Sequence, residues 1–379
     1  MLNIAFTGGG TGGHIYPGLA VYDELKKLLN CRIIWIGSSS GMDRSIIGGA
    51  DKENAGGIEF FGIPSGKLRR YFSFHNILDL FKIASGFFAA RKIMKKQKIK
   101  LLFSKGGFVS VPPCAAAASL GIPVFTHESD FSPGLATKIN ARFIGVKGKI
   151  FTAYEETINL LPVKIRDRVM KTGNPVRSIF HNADPAKGRS FLGLSDDARI
   201  LLVLGGSQGA KEINDLIRAA LGELTKIYIV VHQTGRNNEV SGPAGERYKP
   251  YSYFNEEMPH VMAASEVVMG RSGAGIWEWA FLGKPMLLLP LRGSSTRGDQ
   301  VENAEFFSQA GAAQVLSSPY TDGGINAGEF LTAVKSLADD REKREKMAQA
   351  SAGICGKNSA QLIAQAIVEY FNTQNGGEN

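Results

Sequence analysis

A chain of 379 residues exceeds one ordinary hydrophobic core and predicts two domains. Its 44% apolar and 21% charged residues exclude a disordered or fibrous chain. The longest apolar stretch, 112–125, is broken by Pro113, Gly121 and Pro123 before it reaches the roughly 18 residues of a membrane helix. The net charge of +9 is uneven: residues 1–172 hold 24 Lys and Arg against 12 Asp and Glu, the remainder 20 against 23. The first half therefore faces something anionic.

The opening Leu2-Asn3-Ile4-Ala5-Phe6 runs straight into glycines without a basic stretch or cleavage pattern, so no secretory leader is expected. Strands are predicted at 3–6, 32–36, 101–103 and 123–126, with helices at 17–29, 76–97 and 113–120 between them. Pro17 suits a first helical turn. Residues 172–177 have the turn chemistry of a hinge. The pattern then restarts with strands at 200–204, 227–231, 267–269 and 286–289, and helices running through Leu221, through Leu282 and on from Asp299. Such alternation predicts an α/β protein of two Rossmann-like doubly wound domains facing across a cleft. The expected limits are 1–171 and 178–358, and a C-terminal helix, about 359–372, is open to packing back on the first domain. Cys31, Cys114 and Cys355 lie too far apart for a metal or disulfide framework and read as reduced thiols.

Forty-five glycines, about 12% of the chain, exceed the usual roughly 7%, and several close a strand-to-helix turn. Gly8-Gly9-Gly10-Thr11-Gly12-Gly13 fits a dinucleotide turn, but the second strand ends in Gly37-Ser38-Ser39 with no acid for a ribose. Arg44 leaves an NADP oxidoreductase conceivable. His14, at the mouth of that turn, suits a general base or a capping or core histidine. The 205–209 and 270–275 turns, with the Ser207 hydroxyl, suit a diphosphate. Glu278 suits ribose hydroxyls or a helix N-terminal charge. Gln300 and Asn303 share a helical face beside it. These turns favour a nucleotide diphosphate over a redox cofactor. The segment 65–105 holds eleven basic residues against one acid, Asp79, with aromatics among them. A nucleic-acid binder is one reading of it; core packing of Tyr71, Phe72, Phe74 and Phe81 is the blander one.

Taken in order, eight motifs resemble the MurG glycosyltransferase family over nearly the whole chain. They are Gly8–His14 with Pro17, Lys105–Ser110, His127-Glu128-Ser129-Asp130 with Pro133-Gly134-Leu135, Gly173–Arg177, Gly205–Ala210, His232–Gly235, Arg271–Ala274, and Gln300 with Asn303. The resemblance implies a GT-B fold and an inverting transfer that needs no metal and no cofactor. The implied donor is UDP-N-acetylglucosamine, and the implied acceptor is the sugar 4-hydroxyl of undecaprenyl-diphosphate-linked N-acetylmuramyl-pentapeptide. Arg177, Ser207, Glu278, Gln300 and Asn303 fall on donor-binding positions, as do Thr11, Gly12 and Gly13. Asp130 stands where many members carry an amide for the donor sugar. For the base, His14 comes first, with Glu128 or Asp130 as alternatives. A related transferase with a diacylglycerol-type acceptor is the nearest rival. The implied setting is peripheral, on the cytoplasmic face of the bacterial membrane, with anionic lipid rather than nucleic acid as partner. Lys67, Arg69, Arg70, Tyr71 and Phe72 would be membrane-facing.

Overall fold

Short strands that alternate their side chains between two apolar layers build both halves of the chain. The computed structural model describes residues 1–53, 57–66, 74–206, 208–235, 245–293, 296–356 and 358–375. It divides into two units, Met1–Arg177 with Lys357–Asn379, and Ser178–Gly356.

The first unit runs β1 (Leu2–Thr7), α1 (Gly12–Leu28), β2 (Cys31–Ser38), α2 (Asp43–Glu53), β3 (Ile58–Ile63), α3 (Phe74–Lys96), β4 (Leu101–Ser104), α4 (Val111–Ser119), β5 (Val124–Glu128), α5 (Leu135–Asn140), β6 (Lys149–Thr152) and β7 (Val169–Lys171). The strands form a parallel sheet in the order β3-β2-β1-β4-β5-β6-β7. Period-two alternation sorts its two faces. Ile4, Phe6, Ile33, Trp35, Leu101 and Phe103 enter one buried cluster, while Ala5, Ile34, Ile36 and Leu102 enter the other.

The second unit runs α6 (Pro185–Leu192), β8 (Ile200–Leu204), α7 (Lys211–Ile227), β9 (Ile229–Gln233), β10 (Tyr248–Tyr251), α8 (Met258–Ala264), β11 (Val267–Gly270), α9 (Ile276–Phe281), β12 (Met286–Leu288), α10 (Asp299–Gln309), β13 (Ala313–Val315), α11 (Gly328–Asp339) and α12 (Arg341–Cys355). Its parallel sheet has the order β10-β9-β8-β11-β12-β13. Both units are therefore Rossmann-like doubly wound sheets, as the sequence implies. The last helix, α13 (Ser359–Asn375), returns to the first unit. There it buries Ala360, Ile363, Ala364, Ala366 and Ile367 among Leu19, Tyr22 and Leu25 of α1.

Several elements, β3, β6, β7, β10 and β13 among the strands, lie outside the sequence reading, and β9 is shifted by two residues from the expected 227–231. Three further differences bear on the site and its frame. Helix α1 begins at Gly12 rather than Pro17, so Gly12, Gly13 and His14 form its first turn and Pro17 lies inside it. Strand β5 continues past Thr126, and His127 and Glu128 pair with Phe151 and Thr152 of β6. Strand β10 contains Pro250, which its place at the sheet edge tolerates.

Candidate active site

Strand order reverses between β1 and β4 in one sheet and between β8 and β11 in the other. Ligands of such sheets bind beyond the C-terminal strand ends at these switch points. The glycine-rich turns of this chain occupy those places.

In the first unit, the turn after β1 is fastened from within. Gly10 N–H donates to Asp43 Oδ1 at 3.0 Å and Ser38 N–H to Asp43 Oδ2 at 2.8 Å. Asp43 is fully buried, and a Cβ at Gly9 would lie 2.0 Å from its carboxylate. The acid near β2 thus holds the turn and leaves no ribose acceptor there. Arg44, the residue that kept an NADP reading open, lies over the Phe60 ring at 5.1 Å.

Beyond this turn, Thr11 and Gly13 are exposed at the start of α1. Thr11 makes no side-chain cap and no acid lies in the first turn, so the positive end of a 17-residue helix faces outward. His14, half-buried, is the third helical residue. Its ring lies on the loop after β4: a Cβ at Gly107 (φ 76°) would approach His14 Cδ2 to 2.8 Å. Only glycine leaves room for this imidazole.

The loop after β5 carries the other candidate acids, which divide by environment. Glu128 Oε1 accepts from the amides of Ser129 (2.8 Å) and Asp130 (3.0 Å), and Oε2 from Gly134 N–H (2.9 Å). This buried carboxylate shapes the loop. Asp130 is half-buried at its lip. His127 is buried, and its Nε2–H donates to the Gly173 carbonyl at 2.9 Å. Burial and the nearby Lys105 charge push its pKa well below the ordinary histidine value, so the ring is neutral. Arg177, at the end of the following segment, lies over the Tyr16 ring at 5.0 Å.

In the second unit, Gly206 (φ 84°) and Gly209 (φ 76°) turn the chain from β8 into α7. Gly235 (φ 102°) must be glycine, because a Cβ there would meet Gly209 N at 2.4 Å. Gln233 clasps the turn, donating from Nε2 to Gly206 O (3.2 Å) and accepting from Phe254 N–H (3.0 Å). Helix α7 is 17 residues long and is capped by Ala210, which offers no side-chain acceptor. Its first turn carries Glu212.

The turn after β11 meets this one through an ion pair, Arg271 to Glu212 at 2.8 Å, with both side chains largely buried. Ser272 Oγ donates to Gln300 O (2.6 Å), and Asn303 Nδ2 donates to Ser272 O (3.1 Å). Gln300 Oε1 accepts from Leu291 N–H at 3.0 Å. Asn303 is fully buried, so it holds the turn rather than facing solvent. Glu278, half-buried, is the third residue of α9.

Thr11, Gly12, Gly13, His14, Glu128, Asp130 and Arg177 thus lie in the first unit, and Glu278, Gln300 and Asn303 in the second. Ser207, Lys67, Arg69, Arg70, Tyr71 and Phe72 lie outside the described residues. The holding roles of Asp43 on the first turn and of Glu212 as partner of Arg271 were not legible in the sequence, since Gly10 and Arg271 lie far from them along the chain. Among the described residues, no group of three or more His, Cys, Asp or Glu is placed to hold a metal ion.

The profiles of the glycosyltransferase family 28 N-terminal and C-terminal domains match residues 4–145 and 200–367. A UDP-N-acetylglucosamine–N-acetylmuramyl-(pentapeptide) pyrophosphoryl-undecaprenol N-acetylglucosamine transferase of Treponema denticola is 46% identical, over 98% of each chain. The Staphylococcus carnosus protein of the same name is 41% identical over 91% of this chain and 92% of its own. Among solved structures, Acinetobacter baumannii MurG shares the fold at a TM-score of 0.70 and 23% identity, covering 97% of this chain and 100% of that one. The UDP-N-acetylglucosamine 2-epimerase of Neisseria meningitidis, bound to UDP-N-acetylglucosamine, shares it at 0.67 and 16%, covering 97% and 100%. With both domain profiles matched and relatives this close along its whole length, the chain belongs to glycosyltransferase family 28 and, within it, to the MurG family of N-acetylglucosamine transferases.

Proposed function

We infer that this protein transfers N-acetylglucosamine from UDP-N-acetylglucosamine to the 4-hydroxyl of a lipid-diphosphate-linked N-acetylmuramyl-pentapeptide, making lipid II for peptidoglycan. The observation that carries the reading is the 46% identity over 98% of both chains to a relative named for that reaction. The undecaprenol acceptor in the relatives' names disfavours the diacylglycerol rival.

In the second unit, Glu278 accepts from the ribose hydroxyls, and Gln300 and Asn303 set the turn around the nucleotide. The start of α7, with Ser207, receives the diphosphate. In the first unit, His14 takes the proton of the acceptor hydroxyl. The new bond from that oxygen to the anomeric carbon forms as the bond to the UDP oxygen breaks, so the configuration inverts. Helix-start amides hold the charge that develops on departing UDP. Thr11, Gly12, Gly13, Asp130 and Arg177 bind polar groups of the substrates. Glu128, held by three amides, serves the loop better than it would serve as base, which leaves Asp130 as the alternative.

A peripheral membrane setting has separate support. No described helix is long and apolar enough to cross a membrane. On α3, Leu80, Phe81 and Phe88 are 55%, 70% and 67% exposed, beside exposed Lys82. A groove of about 780 Å³ elsewhere in the same unit is lined by Leu160, Val163 and other apolar residues together with Lys138, Arg142, Lys164, Arg166 and Arg168, and by no carboxylate. Exposed apolar groups on a surface where cations outnumber acids suit anionic lipid on the cytoplasmic face better than nucleic acid.

The test is incubation with UDP-N-acetylglucosamine and a short-chain lipid I analogue, with a diacylglycerol acceptor in a parallel arm. Disaccharide product in the first arm alone supports the reading. Product only in the second arm, or in neither, overturns it.

A further inference from the structure

Lys105 is a buried charge to which the mechanism above gives no role. It is 1% exposed at the end of β4, where its N–H donates to Thr7 O at 2.8 Å. Its Nζ donates to Ser129 Oγ, which in turn donates to Asn174 Oδ1 at 3.1 Å. The ammonium therefore grips the β5 loop between the two carboxylates of Glu128 and Asp130. A buried ammonium is costly unless charged and polar partners surround it. Both carboxylates favour its charged form.

Those two acids have different duties. Glu128 is occupied by three backbone amides. Asp130 sits two residues on, half-buried, with the Glu128 charge close by. Lys105 holds Ser129, the residue between them, and so fixes the stretch of loop that carries Asp130.

We propose that Lys105 is a positioning residue that, through its hold on Ser129, aims Asp130, so that Asp130 works as a hydrogen-bond acceptor for a sugar hydroxyl of the substrate. The proposal rests on reading the β5 loop as a substrate loop. It makes Lys105 and Asp130 one functional unit in which neither member keeps its effect without the other.

Burial draws Lys105 down to about 8, against the pull of Glu128 and Asp130, and the facing His127 is neutral. Turnover efficiency should therefore decline above about pH 8 as the ammonium is lost. In Asp130→Asn, where the lysine has no partner left to act through, that decline should disappear.

The experiment is a double-mutant cycle of Lys105→Met and Asp130→Asn, with kcat/KM measured from pH 5 to 10 alongside 13C NMR titration of the Asp130 carboxyl. Each single variant should lose about 10- to 100-fold at pH 7.5, by the loss of one charged hydrogen bond. The double variant should lose at least tenfold less than the product of the two. In Lys105→Met the Asp130 titration should rise by about one pH unit or more. Multiplicative losses with an unmoved Asp130 titration would overturn the proposal. Should Lys105→Met fail to fold, Asp130→Asn alone decides: disappearance of the alkaline decline supports the proposal, and its persistence overturns it. The NMR arm needs no turnover, so failure of the wild-type protein to transfer sugar would refute the assigned reaction without touching the Lys105–Asp130 result.

Discussion

Glu278 stands on the third residue of a six-residue helix beside a turn that Ser272 and Asn303 tie down. Its carboxylate gains its place from that turn, so Glu278→Ala should remove a ligand contact with little effect on the fold. UDP affinity measured by calorimetry should fall roughly 10- to 100-fold, the cost of a lost charged hydrogen bond. Unchanged affinity in a folded variant would remove Glu278 from the site. His14→Ala should leave UDP affinity intact and lower turnover by about two to four decades. Near-normal turnover would pass the role of base to Asp130. The types and spacing of these residues were legible in the sequence, because glycine turns and a histidine beside them are local features. The division of labour was not. Glu128 and Asp130 look equivalent as letters, and only the three amides converging on Glu128 separate them. Nothing in Lys105-Gly106-Gly107 announces that the lysine is buried.

At the scale of elements, His232 of β9 joins α7 and β10, contacting Asn214 Oδ1 at 3.1 Å and Tyr248 Oη at 3.2 Å. Burial, with the Arg218 charge adding to it, lowers its pKa from 6.5 to about 4. Below pH 6.5 the unfolded chain binds a proton that the folded ring refuses. The contribution is therefore complete above 6.5 and is lost as pH falls toward 4, by about 3 kcal/mol in all. His232→Gln should flatten the dependence of unfolding free energy on pH across that window, as followed by urea denaturation. An unchanged slope would mean that the ring titrates normally. Packing predicts a second effect: Ile363 of α13 is fully buried against α1, so Ile363→Ala should cost about 2–5 kcal/mol. A loss below about 1 kcal/mol in the same denaturation experiment would place α13 off the core. The strands β1, β2, β4, β5, β8, β9, β11 and β12 were readable because their apolar runs are short and bounded, whereas β3, β6, β7, β10 and β13 were not. The start of α1 was not, since Gly12 and Gly13 disfavour a helix on propensity and tertiary packing overrides them. Tyr248-Lys249-Pro250-Tyr251 carries a proline that only an edge position in the sheet tolerates.

For the molecule as a whole, charge and exposed apolar groups converge on the first unit. Flotation with anionic vesicles should succeed at low salt and fail at high salt. It should weaken when Lys67, Arg69 and Arg70 become Glu, and when Phe81 and Phe88 become Ser. Equal flotation with neutral vesicles, or none with either, would refute the membrane reading. The return of α13 has a consequence for how the protein is born. Its residues leave the ribosome after the whole of the second unit, roughly 200 residues beyond Arg177, an interval of about 10–40 s at ordinary synthesis rates. Throughout that time the nascent first unit has its sheet but not the helix that covers Leu19, Tyr22 and Leu25. The half made first is completed last. A stop codon that removes only the final twenty residues would thus cripple the opposite end of the chain, and the nascent protein leaves Leu19, Tyr22 and Leu25 uncovered during the last half of its synthesis.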